Sequence, residues 1–231
     1  MPTALGFGSW TAWKEMGKDT MVMGDLVLLE NEVNPVISAL LEANLQVTAL
    51  HNHFLGEQPR IMYMHIGGMG DPLKMARGIR NALDRTGTPH AAPGSSPGSE
   101  PALALDTKRI EQIIGHPGKA GVGAFKITVG RPGVTMHGVE ISSIMGLNSW
   151  AGFVGTDERA HVAGDVAMSE KEVNGVIQTL RNGGIDVVAV HNHMLDEKPR
   201  TFFLHYWGTG PAEKLAQTVR AAFNKAKGPL R

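Results

Sequence analysis

The chain has 231 residues, 42% of them hydrophobic, and carries 22 basic against 22 acidic side chains. That is enough apolar content for a sizeable core, in one merged domain or two small lobes, while the balanced charge and the lack of a basic run argue against nucleic acid as a partner. No stretch is long and apolar enough for a membrane span, the terminus MPTALGFGSW does not read as a signal peptide, and the lack of cysteine excludes disulfides and thiolate chemistry.

Taken in chain order, residues 21–29 (MVMGDLVLL) read as a buried strand. Residues 31–43 place Val33, Val36, Ile37, Leu40 and Leu41 at helical spacing. Residues 46–53 alternate like a strand, residues 60–66 form another, and residues 72–83 make a second amphipathic helix. The stretch 86–100, TGTPHAAPGSSPGSE, is too rich in Pro, Gly and Ser to pack and reads as a linker. The expected organisation is a first repeat over 1–86, a linker over 87–106 and a second repeat over 107–231. Beyond the linker, 107–114 looks helical and 124–129 and 134–141 look like strands. Their counterparts would precede Met1, so the first repeat is expected to lack its opening strands.

From residue 146 the pattern returns at an offset of 140. Ser9-Trp10 matches Ser149-Trp150, Gly24-Asp25 matches Gly164-Asp165, and Glu32-Val33-Asn34 matches Glu172-Val173-Asn174. Such self-similarity means that one structural unit was duplicated. Ser169 and Glu172 form a capping box, and Pro211 stands where a helix should begin. The expected fold is α+β: two ferredoxin-like β-α-β-β-α units related by a pseudo-two-fold axis.

The repeat is tightest around histidines. His51-Asn52-His53 with Glu57, Pro59, Arg60 and His65 returns as His191-Asn192-His193 with Glu197, Pro199, Arg200 and His205, so six of the ten histidines fall in two matched triplets. Contiguous HNH letters do not make the nuclease motif, whose residues are spread over a longer unit. Positions i and i+2 of a strand share a face, so His51 and His53 project together, and a hairpin turning near Gln58 would bring His65 opposite His51. Each triplet is then a three-nitrogen ligand set with Glu57 or Glu197 near by, which suits Zn2+ or another divalent first-row ion. A metal-free acid–base or ligand site and plain structural hydrogen bonding are the alternatives.

Other repeated residues have blander readings. Arg60 and Arg200 can grip a substrate carboxylate or phosphate, or simply form salt bridges. Asn52 and Asn192, facing away from the histidines, either orient the loop or touch ligand. Glu32 and Glu172 read as helix-start residues, Asp25 and Asp165 as turn or strand-end residues, Trp10 and Trp150 as core. Gly68-Met69-Gly70 and Gly208-Thr209-Gly210 read as connections, with an anion cradle as the other reading.

The long run from Gly8 to Pro72, with ALHNH and the downstream PR and MH, resembles the bacterial LppY/LpqO-type family, a domain family of unknown function; the likeness covers both repeats. It implies a duplicated domain, often exported or lipid-anchored, and no agreed activity. The positions that carry it are His51, Asn52, His53, Glu57, Pro59, Arg60 and His65. The expected function is metal binding, most simply zinc, with hydrolysis of a small substrate in which Glu57 or Glu197 serves as general base. A non-catalytic small-ligand or metal-binding module is the alternative, and a homo-oligomer is compatible with either. Gly56, Gln58, Tyr63 and Met64 become Asp196, Lys198, Phe203 and Leu204, so both copies are expected to bind metal while one, with copy one favoured, handles the physiological ligand.

Overall fold

The computed structural model describes residues 5–87, 103–121 and 123–227. Most of the linker therefore lies outside the described residues. The first repeat runs β1 (Trp10–Met16), β2 (Asp19–Leu29), a 3-10 turn, α1 (Val33–Glu42), β3 (Gln46–His51), β4 (Ile61–Gly70) and α2 (Pro72–Leu83). After the linker come α3 (Thr107–Ile114), β5 (Gly118–Gly121), β6 (Ala124–Gly130), β7 (Thr135–Met136) and β8 (Val139–Glu140). The second repeat is β9 (Asn148–Gly155), β10 (Ala160–Met168), α4 (Val173–Asn182), β11 (Asp186–His191), β12 (Phe202–Gly210) and α5 (Ala212–Lys225).

The sheets are antiparallel, with order β1-β2-β4-β3 in the first repeat and β11-β12-β10-β9-β6-β5 in the second. The α+β class and the duplication hold, but the repeating unit is longer than expected. Each begins with an extra strand, β1 or β9, paired to the next. That strand borders the β-α-β from upstream, whereas a ferredoxin-like unit would place a strand after the second helix. Residues 134–141 are also not one strand: His137 and Gly138, both at positive φ, turn the chain between β7 and β8, as a tight hairpin requires.

Alternation along the strands produces two inner faces. In β2, Val22, Leu26 and Leu28 pack against Val36 and Leu40 of α1 and Ile79 of α2. In β10, Val162, Val166 and Met168 pack against Val176 and Leu180 of α4 and Val219 of α5. The opposite faces meet between repeats, where Met21 and Met23 share a core with Ala167, Met194 and Phe203. The layers are therefore helices, sheet, sheet, helices, and the histidines lie in the middle. Truncating a fully buried helix residue such as Leu40 to Ala would cost about 2–5 kcal/mol.

The helix starts follow the expected chemistry. Glu32 accepts the Leu29 N–H at 2.8 Å and Glu172 the Ser169 N–H at 2.7 Å, so each carboxylate closes the turn before its helix. Glu172 also pairs with Arg131 at 2.6 Å.

Candidate metal centre

Strand register brings the polar residues into rows. Trp10 of β1 pairs with Asp25 of β2, which pairs with His65 of β4, which pairs with Ala49 of β3. Trp150, Asp165, His205 and Ala189 repeat the row in the second sheet. The expected pairing of His51 with His65 is thus off by two: His51 faces Tyr63, and a bulge falls between Val47 and Ala49. A two-residue offset preserves the face, so His51 and His65 remain diagonal neighbours, 4.9 Å between ring centroids. His53 lies beyond the end of β3 and arrives by the loop, not by strand alternation.

The two triplets do not form separate sites. Ring centroids of His51 and His191 are 3.7 Å apart, His65 and His193 3.9 Å, and His53 and His205 3.9 Å, so each imidazole has its nearest histidine in the other repeat. These reciprocal pairs are what a pseudo-two-fold relation produces. Three sets of groups lie close enough to share an ion: His51, His65 and His191; His51, His53 and His205; and Asp165, His191 and His205. No set joins His51, His53 and His65, nor His191, His193 and His205. Two of the three span both repeats.

The hydrogen bonds fix which nitrogens are free. His53 Nδ1 lies 3.1 Å from the Gly6 carbonyl, His65 Nδ1 3.3 Å from that of Gly24, His191 Nδ1 3.2 Å from that of Asn192, and His205 Nδ1 3.2 Å from that of Gly164. His193 is held likewise by the Gly146 backbone. A carbonyl oxygen can only accept, so Nδ1 carries the proton and Nε2 keeps its lone pair. Gly6 and Gly146, at positive φ, are equivalent in the two repeats, and a Cβ on Gly6 would sit 2.7 Å from the His53 ring. Among the described residues none of the six Nε2 atoms has a hydrogen-bond partner, although all are buried, and at His51 Nδ1 has none either.

The carboxylates sharpen the imbalance. Asp165 Oδ2 is 3.3 Å from His193 Nε2 and 3.8 Å from His205 Nε2, and Asp25 Oδ2 is 3.6 Å from His53 Nε2. Lone pairs thus face lone pairs in a buried space, an arrangement that a cation relieves. Carbonyl-anchored imidazoles with Nε2 turned inward are the form in which histidine ligates metal. Burial, reinforced by neighbouring imidazoles, pushes His51, His193 and His205 well below the usual histidine range. Burial does the same to His65, against the opposing pull of Asp25. It brings His191 down to about 4, partly offset by Asp165. At neutral pH these rings are neutral, as ligation requires. Burial also raises Asp165.

A cavity of about 270 Å3 opens beside this cluster. Asp25, His53, His65 and their counterparts Asp165, His193 and His205 reach it, Trp10 and Trp150 wall it, and Lys126 from β6 lies over the Trp150 ring at 4.0 Å. The tryptophans are therefore part-buried cavity walls, not plain core. Asp25 and Asp165 lie within strands, buried at 5% and 2% exposure, not at turns or strand ends.

The remaining sequence candidates sit elsewhere. Glu57 Oε1 accepts the Ile61 N–H at 3.4 Å and Glu197 Oε1 the Thr201 N–H at 3.0 Å, tying each loop to the strand that follows; neither lines the cavity. Their Oε2 atoms are buried and unpartnered among the described residues. Arg60 lies at a surface cleft beside Glu30 and Pro59, and Arg200 reaches the Leu195 carbonyl at 3.3 Å and Glu197 at 3.6 Å. Asn52 donates to the Ile61 carbonyl at 3.2 Å, holding the loop, while Asn192 donates to the Thr48 carbonyl at 2.8 Å across the repeats. Gly68, Gly70, Gly208 and Gly210 belong to β4 and β12, not to connecting loops.

Two solved structures show a low likeness. EtuB from Clostridium kluyveri is 9% identical, with a TM-score of 0.25 over 94% of this chain and 85% of that one. The trimeric bacterial microcompartment shell protein PduB is 14% identical, with a TM-score of 0.23 over 93% of this chain and 78% of that one. Scores this low carry no weight for fold or function. No curated protein matches the chain. A family model does, over residues 1–85 and again over 108–225, spanning both repeats and most of the sequence. The chain belongs to the domain family of unknown function DUF1259.

Proposed function

We propose that this chain binds a divalent metal at a centre shared by its two repeats, with Zn2+ the ion best matched to imidazole and carboxylate donors. One observation carries the reading: the six buried Nε2 atoms, together with the Oδ1 atoms of Asp25 and Asp165, have no hydrogen-bond partners among the described residues. A metal reached from the cavity would lower the pKa of a bound water and support hydrolysis of a small substrate. Asp25 and Asp165 line that cavity and are better placed as general base than Glu57 and Glu197, which are engaged with backbone amides. A surplus of donors favours the second reading, a non-catalytic metal-binding or storage module, because four protein ligands leave no open position.

The test is elemental analysis of protein stripped by chelator and reloaded with Zn2+. Stoichiometric, chelator-resistant metal supports the centre, and failure to retain any divalent ion contradicts it. Metal-dependent turnover of small esters that Asp25→Asn abolishes while the metal is retained would favour the hydrolase over the storage module.

A further inference from the structure

Lys126 belongs to β6, a strand of the second half that the first repeat, as described, has no equivalent of. It is half-buried at the centre of an apolar strand, AFKITVG, and its ammonium reaches the same cavity as the histidines. Among the described residues no carboxylate lies within salt-bridge distance of it, and its contact is the Trp150 ring. A single cation–π contact is little return for withdrawing an ammonium from water. Burial indeed lowers the lysine pKa, with Asp165 opposing.

The charges around the cavity point to an occupant. Asp25 and Asp165 place two carboxyl groups at the cavity and Lys126 one amino group, beside the imidazoles. A divalent ion held by the imidazoles and carboxylates would add positive charge beside Lys126, and an anionic group complements the two together. Trp10 and Trp150 supply flat apolar walls for the rest of such a molecule.

We propose that the cavity takes a small molecule bearing one oxyanion group, a carboxylate or a phosphate ester, with Lys126 holding that group while the remainder lies between Trp10 and Trp150 beside the histidines. This rests on the metal reading above. It moves anion recognition from Arg60 and Arg200, which lie outside the cavity, to a residue of β6.

The experiment is calorimetric titration of chelator-stripped and Zn2+-reloaded protein with benzoate and with phenyl phosphate, for the parent chain, Lys126→Met and Lys126→Arg, with thermal melts to confirm folding. The tighter probe identifies which oxyanion the site prefers. Binding to the zinc form that Lys126→Met weakens about 10- to 100-fold, and that Lys126→Arg largely restores, is the expected result. Metal retained with probe affinity unchanged in Lys126→Met, or with neither probe bound, overturns this inference alone. Lys126-dependent probe binding by a protein that retains no metal overturns the metal reading alone. Loss of both metal and probe binding overturns both.

Discussion

The two repeats match in their donor groups and differ in the residues packed around them. Asp25 and Asp165, His65 and His205, and the glycine carbonyls behind the imidazoles occupy equivalent places. Yet His53 stacks on Tyr63, at 3.4 Å, where His193 stacks on Phe203, at 3.3 Å. Asp165 approaches two imidazoles closely while Asp25 approaches one. Lys126 approaches the cavity from β6 of the second half. Symmetry therefore holds the donor cluster, and asymmetry shapes what can approach it.

The largest expected effect tests the shared part. Five histidines drawn from both repeats have pKa values lowered by burial. A group depressed in the folded state leaves stability intact above its unfolded value, near 6.5. As pH falls from there, the unfolded chain takes up protons that the folded chain refuses, so stability drops by up to about 1.4 kcal/mol per pH unit for each histidine. For His191 the loss runs from about 6.5 to about 4. Metal-free protein should unfold in acid as one unit. Separate acid transitions for the two halves, seen by tryptophan fluorescence and circular dichroism, would break the picture of a common centre.

The carboxylates sharpen the difference next. Asp165→Asn should weaken zinc binding about 10- to 100-fold, and Asp25→Asn less, since only Asp165 belongs to a group close enough to share an ion. Competition against a chromophoric chelator measures both, and equal losses would remove the asymmetry. A smaller contrast concerns packing. A Cβ on Gly164 would meet the Trp150 carbonyl at 2.2 Å and the Tyr206 hydroxyl at 2.2 Å, whereas on Gly24 the nearest contact is the Trp10 carbonyl at 2.6 Å. Gly164→Ala should cost about 1–3 kcal/mol and Gly24→Ala less, read from urea unfolding. The smallest effect is at Tyr63, whose hydroxyl is buried without a partner among the described residues. Tyr63→Phe makes the first repeat like the second and should raise stability by up to about 1 kcal/mol; a lowered melting temperature would show that the hydroxyl is satisfied.

The helices α1, α2 and α3 and strands β2, β4 and β6 were legible because periodicities of 3.6 and 2 are local properties. Strand β1, WTAWKEM, was hidden because one face is largely exposed and its charges break the apolar alternation. The histidines announced themselves by repetition, but their partnership across repeats depends on how two sheets pack, which no offset encodes. Asp25 left a readable trace: a carboxylate inside the apolar run MVMGDLVLL, retained in AHVAGDVAM, is costly to bury unless it serves something. Lys126 inside AFKITVG was the same kind of trace. Glu57 and Glu197 stand beside the motif in sequence, which suggested chemistry, while one oxygen of each carboxylate holds a loop.

A single substitution, His51→Ala, tests the shared centre most directly, because His51 belongs to two of the three ligand groups and each of these includes a histidine of the second repeat. Zinc content and affinity would be measured on the folded variant beside the parent chain. A shared centre predicts that this one change in the first repeat abolishes tight binding altogether. Retention of half the parent's metal at undiminished affinity would instead show two independent sites, one per repeat, and contradict it.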